Sequence, residues 1–239
     1  MGRQILDKAT WTTERTNLKD SYNYSENWVK VIDLFQQRIN DFYFAPIDDI
    51  LKTNKQKGEG FSILTLQCAL IEMFAAFRVG KIHNRNKPKT GGLKYEYSSS
   101  SSCFVEFLQT EEIFKNHFFV TDDNGVKQPN QPFNANHFYD RVRCGLMHEA
   151  RTKKDWLITS AIKDSSKPKQ FITENIVENT KSVNRTLLQK ELKSYFDKYL
   201  QELKMTDENG NKFRRLLARK LDHLYDIPKD KNYDCWLDK

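Results

Sequence analysis

The densest group of residues able to do chemistry is the run His137-Phe-Tyr-Asp-Arg-Val-Arg-Cys-Gly-Leu-Met-His-Glu149. It holds two histidines, two arginines and a cysteine. A histidine exchanges its proton near neutral pH and can act as a general base. An arginine is permanently charged and donates bidentately, which suits a phosphate. At 100° per residue Phe138, Tyr139, Val142 and Leu146 fall on one side of a helix, and that side must face a core. His137, Arg141, Cys144 and His148 form a polar stripe on the opposite side. Arg143 projects between the two, roughly 140° from His148 on an ideal helix. Its long side chain, or unwinding at Gly145, permits the guanidinium to approach the imidazole. A second polar group stands in an apolar setting: Glu72, among Cys68, Leu70, Ile71 and Phe74. A buried carboxylate must be paired or protonated. It is either an ion pair or cap inside a bundle, or a group orienting Arg143 or His148.

The elements that must position these residues read as helices. Residues 1–24 form a polar, loosely docked arm with Trp11 as its anchor. Ser25 caps a helix carrying Trp28, Val31, Ile32, Phe35 and Ile39 on one face. A short helix covers 46–53, and a basic loop follows to Gly60. Phe61 to Val79 is apolar nearly all round, as a central helix should be, and Gly80 ends it. Gln67, Glu72 and Arg78 make that stretch costly in a bilayer, so it reads as the buried helix of a cytoplasmic protein. Residues 81–102 form a mobile polar linker. Ser102 caps a helix from Cys103 to about Asn116, and residues 117–133, with Asp123-Asn124-Gly125, make a loop or small hairpin. Asn134 or Asn136 caps the helix that carries the chemistry, which runs to about Ala150. Trp156–Ile162 and Phe171–Val177 pair as a two-stranded ribbon. Val183 to Leu203 is a long amphipathic helix, Asn209-Gly210 breaks it, and Phe213 to Leu224 is the last helix. Residues 225–239 form a tail. The fold class is all-α: one helical bundle over 25–224 with a small β-ribbon insertion.

Composition narrows the function. Sixteen Phe, ten Tyr and four Trp in 239 residues supply a core and exclude global disorder. Nine Gly and six Pro are too few for a chain of many tight turns. Thirty-nine Lys plus Arg against 32 acids give a net charge of +7, which favours an anionic partner such as a nucleic acid. No two of the four cysteines form a Cys-x-x-Cys pair, so a thiolate zinc site is not expected. There is no Gly-rich phosphate loop, no H-E-x-x-H and no G-x-S-x-G. The first residues lack an apolar core, so no secretion signal is expected.

Arg143-x4-His148 fits the R-x4–6-H motif of the HEPN superfamily (higher eukaryotes and prokaryotes nucleotide-binding), and RCGLMHE, late in an amphipathic helix, resembles the setting of that motif. The element order is similar as well: a long first helix, an apolar second helix with an internal acid (Glu72), the motif helix and a further long helix. The resemblance spans residues 25–205. It implies an HEPN-type helical bundle that forms a homodimer with the two motif helices facing each other. It also implies a metal-independent endoribonuclease of phage defence or a toxin–antitoxin system, with RNA as substrate, a possible antitoxin or defence partner, no cofactor and no membrane. RNA carries its own nucleophile, the 2′-OH, so the protein would supply a base and a cation. By the resemblance His148 is the base and Arg143 holds the phosphate, with Glu72, Arg141, Cys144 and Glu149 in support. The products would be a 2′,3′-cyclic phosphate and a 5′-hydroxyl.

Two choices stay open. Arg141 to His148 fits the longest spacing of the motif, so either arginine can be the catalytic one. Active members often carry Asn, Asp or His directly after the motif arginine, and here Cys144 stands there. That departure supports an alternative: a catalytically silent HEPN-like module binding nucleotide, RNA or a partner protein. A structural adaptor whose basic surface binds nucleic acid is a third reading. A second match, Arg78-x4-His83, is set aside because Gly80 should end the helix between its members.

Overall fold

The most apolar stretch of the chain makes its longest helix. In the computed structural model, which describes residues 5–18, 21–53, 58–88, 90–119, 133–160 and 170–237, that helix runs Glu59–Val79. It is long and apolar enough to cross a membrane by length and composition, and 56% of its most apolar window is buried in the fold. Gly80 ends it at φ +57, a left-handed conformation that glycine adopts without steric cost.

In chain order the described helices are α1 (Lys8–Asn17), α2 (Glu26–Ile39), α3 (Ala45–Thr53), α4 (Glu59–Val79), α5 (Ser100–Thr110), α6 (Glu112–Lys115), α7 (Ala135–Phe138), α8 (Gly145–Glu149), α9 (Arg185–Leu203) and α10 (Glu208–Leu224). The strands are β1 (Ile82–His83), β2 (Glu96–Tyr97), β3 (Phe118–Phe119), β4 (Phe133–Asn134), β5 (Trp156–Thr159), β6 (Ile172–Asn175) and β7 (Thr180–Asn184). The protein is mainly helical with three small sheets among the described residues. Two π turns interrupt the helices, Asn40–Phe44 between α2 and α3 and Tyr139–Cys144 between α7 and α8. The first has a local cause. Pro46 lacks an amide hydrogen, and its ring crowds the carbonyl four residues back. A wider turn just before it absorbs the mismatch, and the helix continues.

Backbone contacts group the chain into two units. α4 and α9 each supply residues to both. The first unit comprises Met1–Phe42, Met73–Ser100 and Phe196–Lys239. Its core stacks Phe74 on Phe196 with centroids 5.5 Å apart, and sets Phe35 5.1 Å from Phe77. Residues 1–24 do not form a loose arm. Lys8–Asn17 is helical, capped by Asp7, and Trp11 is fully buried. The reason is Asp222 of α10, also fully buried, which accepts from Trp11 Nε1 (2.9 Å), Arg15 Nε (2.7 Å) and Trp236 Nε1 (2.8 Å). A buried carboxylate needs such partners. The same bonds hold down the expected C-terminal tail, where Asp234–Trp236 makes one 3-10 turn. The expected linker 81–102 is likewise ordered in part. β1 pairs in parallel with β2, and Tyr95 is buried against Trp236 at 5.9 Å. Asn209-Gly210 lies inside the first turn of α10 and is not its boundary. Asp207 caps that helix by accepting from the Gly210 amide.

The second unit comprises Tyr43–Glu72 and Ser101–Tyr195. Phe104, Phe118, Phe138 and Trp156 are each at most 2% exposed; Phe118 and Trp156 meet Phe138 edge to face at 5.4 Å, and Phe104 stacks on it at 6.2 Å. The expected two-stranded ribbon is a three-stranded sheet of order β5-β7-β6. β7 is central, parallel to β5 (Trp156↔Lys181) and antiparallel to β6 (Ile172↔Val183), so Trp156–Ile162 and Phe171–Val177 do not pair with each other. β7 has no alternating pattern: Thr180, Lys181 and Ser182 are half-buried, Val183 and Asn184 are buried, and it runs straight into α9. Asn184 ends β7 and caps α9, its side chain accepting from the amides of Thr186 and Leu187, so the helix starts at Arg185 rather than Val183. The turn signal Asp123-Asn124-Gly125 lies outside the described residues, as do residues 161–169.

Candidate functional site

The helical run that carries the chemistry starts where the sequence allows it to start. Asn134 is its cap, the side-chain oxygen accepting from the His137 amide at 3.1 Å. Phe138, Val142 and Leu146 then enter the core, at 1%, 0% and 7% exposure. These residues are four apart. An ideal helix would carry Leu146 roughly 80° away from Phe138. The π turn Tyr139–Cys144 takes up that excess, because each of its turns holds an extra residue. The four-residue apolar spacing was the signal for it.

The chain then doubles back across this helix. Ala150 adopts φ +53, and the amides of Ala150 and Arg151 both donate to the Gly145 carbonyl. The Lys153 amide donates to the Arg141 carbonyl at 2.8 Å, inside the π turn. Gly145 makes the crossing possible. A Cβ there would stand 2.5 Å from the Arg151 carbonyl oxygen. Gly145 is therefore a packing residue of the motif helix.

Arg143 leaves the π turn toward α4. Its Nη2 donates to Glu72 Oε2 at 2.8 Å and its Nε to the same oxygen at 3.2 Å. The two side chains are 17% and 24% exposed. Burial works against the guanidinium charge, but the hydrogen bond and attraction to Glu72 outweigh it and hold the pKa above its ordinary value. Tyr139, one turn earlier, lies under the guanidinium at 5.5 Å from its ring centroid. Nη1 has no acceptor among the described residues. The sequence reading placed Tyr139 with the core side only. It is half-buried and shared between core and arginine. Cys68, one turn before Glu72 on α4, is fully buried, and burial pushes its thiol up to about 12. Cys144 is half-buried.

The remaining candidates do not converge on one point. Arg141 donates to Asp155 Oδ1 at 3.1 Å, and Lys181 holds the other oxygen of Asp155 at 2.7 Å. Burial opposes the Asp155 charge, but the Lys181 hydrogen bond prevails and lowers its pKa. Arg141 is thus committed to Asp155, just before β5, whereas Arg143 faces α4. Glu149 pairs with Lys153 at 3.2 Å and Arg151 at 3.6 Å. His148 sits exposed on the last turn of α8, with no hydrogen bond among the described residues. No hydrogen bond joins it to Arg143. His137 is exposed, and burial, followed by the nearby Arg141 and Lys154 charges, lowers its pKa. Asp155 and Lys181 carry no local sequence signal, since Asp155 draws its partners Arg141 and Lys181 from 14 and 26 residues away.

The second motif match belongs to the first unit. Arg78 is ion-paired with Glu202 and lies 4.3 Å from the Phe213 ring centroid. His83 stands beyond Gly80 on β1, edge-on to Tyr97 at 5.3 Å. Helix and strand separate the two residues, as Gly80 dictates.

Comparisons with protein-family models, with curated proteins and with solved structures found no match.

Proposed function

We propose that the chain is a metal-independent endoribonuclease of the HEPN type, acting as a homodimer through the helix that carries Arg143 and His148. The observation that carries this reading is the Arg143–Glu72 pair. It fixes a permanently charged guanidinium on a π turn, with Nη1 still able to donate, on the same helix as an exposed imidazole. π turns recur at functional sites. In the reaction His148 removes the 2′-OH proton of RNA, and the 2′-oxygen attacks the adjacent phosphorus. Arg143 donates to the phosphoryl oxygens as charge builds on them. The bond to the 5′-oxygen breaks, that oxygen takes a proton from water or from the partner's His148, and a 2′,3′-cyclic phosphate remains. One base and one cation per chain are few, so two copies facing each other would pool their groups. A cytoplasmic setting and a role in prokaryotic defence accompany the family reading.

Cleavage of single-stranded RNA in EDTA tests it, run on a species of twice 28.3 kDa by light scattering. The expected ends are cyclic phosphate and 5′-hydroxyl. Activity that vanishes on chelation and returns with magnesium contradicts the mechanism.

A second reading draws on one observation. Glu72 already neutralises Arg143, and Cys144 follows it, which favours a catalytically silent module that binds RNA, nucleotide or protein. RNA binding with a steep salt dependence and no cleavage would select it.

A further inference from the structure

The two most exposed large apolar side chains among the described residues are neighbours, Ile176 and Val177, at 86% and 95%; the next, Phe42, is at 56%. They form the tip of the hairpin that joins β6 to β7, just beyond the last strand pair, Asn175 with Thr180. The turn does not call for them. Asn175 Oδ1 accepts from the amides of Val177 and Glu178 at 3.2 and 3.3 Å, and Asn179 takes the left-handed conformation at φ +50, which asparagine tolerates better than most residues. Two asparagines thus shape the loop, and polar residues between them would serve it as well. Instead a fixed turn holds two β-branched side chains in water, a preordered apolar contact that lacks its other half.

Register places this tip beside the motif helix. Lys181 pairs with Trp156, the first residue of β5, and its amide donates to the Asp155 carbonyl at 2.8 Å. The tip therefore leaves the sheet at the end where the chain arrives from α8. Charge selects the occupant. Glu174 and Glu178 flank the apolar pair, so the tip is acidic even with Lys181 at 3.3 Å from Glu174. An acidic tip is repelled by nucleic acid and by anionic lipid, and is drawn to a basic face. This chain, at +7, offers one. Met147 on α8 is 51% exposed, and the segment after it carries Arg151, 70% exposed at its side chain, and the exposed Lys154. Ile176, Val177 and Met147 all keep their exposure within a single chain, so they do not cover one another there.

We infer that the hairpin tip of one copy packs Ile176 and Val177 against the partner's Met147, with Glu174 and Glu178 toward the partner's Arg151 and the partner's Lys154. A two-fold axis makes the contact twice. The inference rests on the homodimer proposed through the motif helix, and adds to it the arm that holds the two copies together.

Analytical ultracentrifugation of the full chain over a range of concentrations measures the dimer Kd and tests it. The double variant Ile176→Ser/Val177→Ser should melt like the parent, since neither side chain is packed in one chain. It is expected to raise Kd about a hundredfold or more, because four apolar side chains leave the interface. Ile176→Leu/Val177→Leu is expected to keep the dimer. Met147→Glu, which sets a carboxylate against the acidic tip, is expected to weaken it. A dimer that the serine variant leaves unchanged overturns the inference while a dimer through the motif helix still stands. A parent that is monomeric at micromolar concentration overturns both, including a monomer that uses the tip to bind vesicles of neutral lipid. A serine variant that is monomeric yet cleaves RNA like the parent supports the tip contact and contradicts the shared active site.

Discussion

Removing Glu72 exposes how firmly Arg143 is held. The pair at 2.8 Å has side-chain exposures of 17% and 24%, between the surface and the interior. Exposed pairs contribute about 0–1 kcal/mol, and losing one partner of a fully buried pair costs about 3–5 kcal/mol. Glu72→Ala therefore costs about 2 kcal/mol, since it removes both bonds and leaves the guanidinium half-buried without its counter-ion. In a chain of this length that is a fall in Tm of about 4–8 °C. Glu72→Gln retains a carbonyl acceptor and costs about 1 kcal/mol. Arg143→Ala costs somewhat less than Glu72→Ala, because an unpaired carboxylate can take up a proton. The double variant Glu72→Ala/Arg143→Ala is the decisive one. If each single change breaks the same interaction, the double costs about as much as one of them, a coupling of about 1.5 kcal/mol. Urea unfolding of the four proteins measures it. Additivity within about 0.5 kcal/mol would refute the pairing and, with it, the argument that α4 positions the motif arginine.

Two other predictions concern the same unit. By helix propensity alone Gly145→Ala should stabilise by about 0.5–1 kcal/mol. The 2.5 Å approach of Arg151 predicts the opposite sign, a loss of about 2 kcal/mol by thermal melting, as the returning backbone is forced off the helix. Cys68 gives a pH dependence. Its folded pKa of about 12 stands above the ordinary 9.0, so the buried neutral thiol favours the fold below pH 9. That contribution is lost as pH rises from 9 toward 12. The urea midpoint should fall more steeply over pH 9–11 in the parent than in Cys68→Ala, and equal slopes would count against it.

The parts of the fold written in local pattern were legible. The all-round apolarity of α4, the glycine that stops it, the Asn134 cap and the apolar face of α9 each depend on residues a few positions apart. Glu72 was legible as an acid in an apolar stretch that needs a partner, with Arg143 as one of its candidates, although its side chain keeps 24% exposure and is not buried. What the sequence hid depends on distant partners. Trp11 and Arg15 find Asp222 more than 200 residues away, so a docked helix read as a loose arm. β7 escaped notice because its five residues run into a helix, and it inserts between β6 and the more distant β5, both of which precede it. The π turn escaped for a different reason. The apolar spacing of four was visible, yet an angle of 100° per residue was imposed on it. Arg141 and Arg143, equivalent by spacing, differ only in which way that turn sends them.

The most direct measurement is RNA cleavage by the parent, His148→Ala, Arg143→Ala, Arg143→Lys and His83→Ala, each shown to be folded by its melting curve. His148 is exposed, so its removal should change stability by less than about 0.5 kcal/mol. Loss of a general base should lower the rate about 10²–10⁴-fold. Arg143→Ala should also be impaired, Arg143→Lys should restore little because lysine lacks the planar fork, and His83→Ala should cleave like the parent. A folded His148→Ala that cleaves at the parent's rate, or a His83→Ala that alone is inactive, would contradict the assignment.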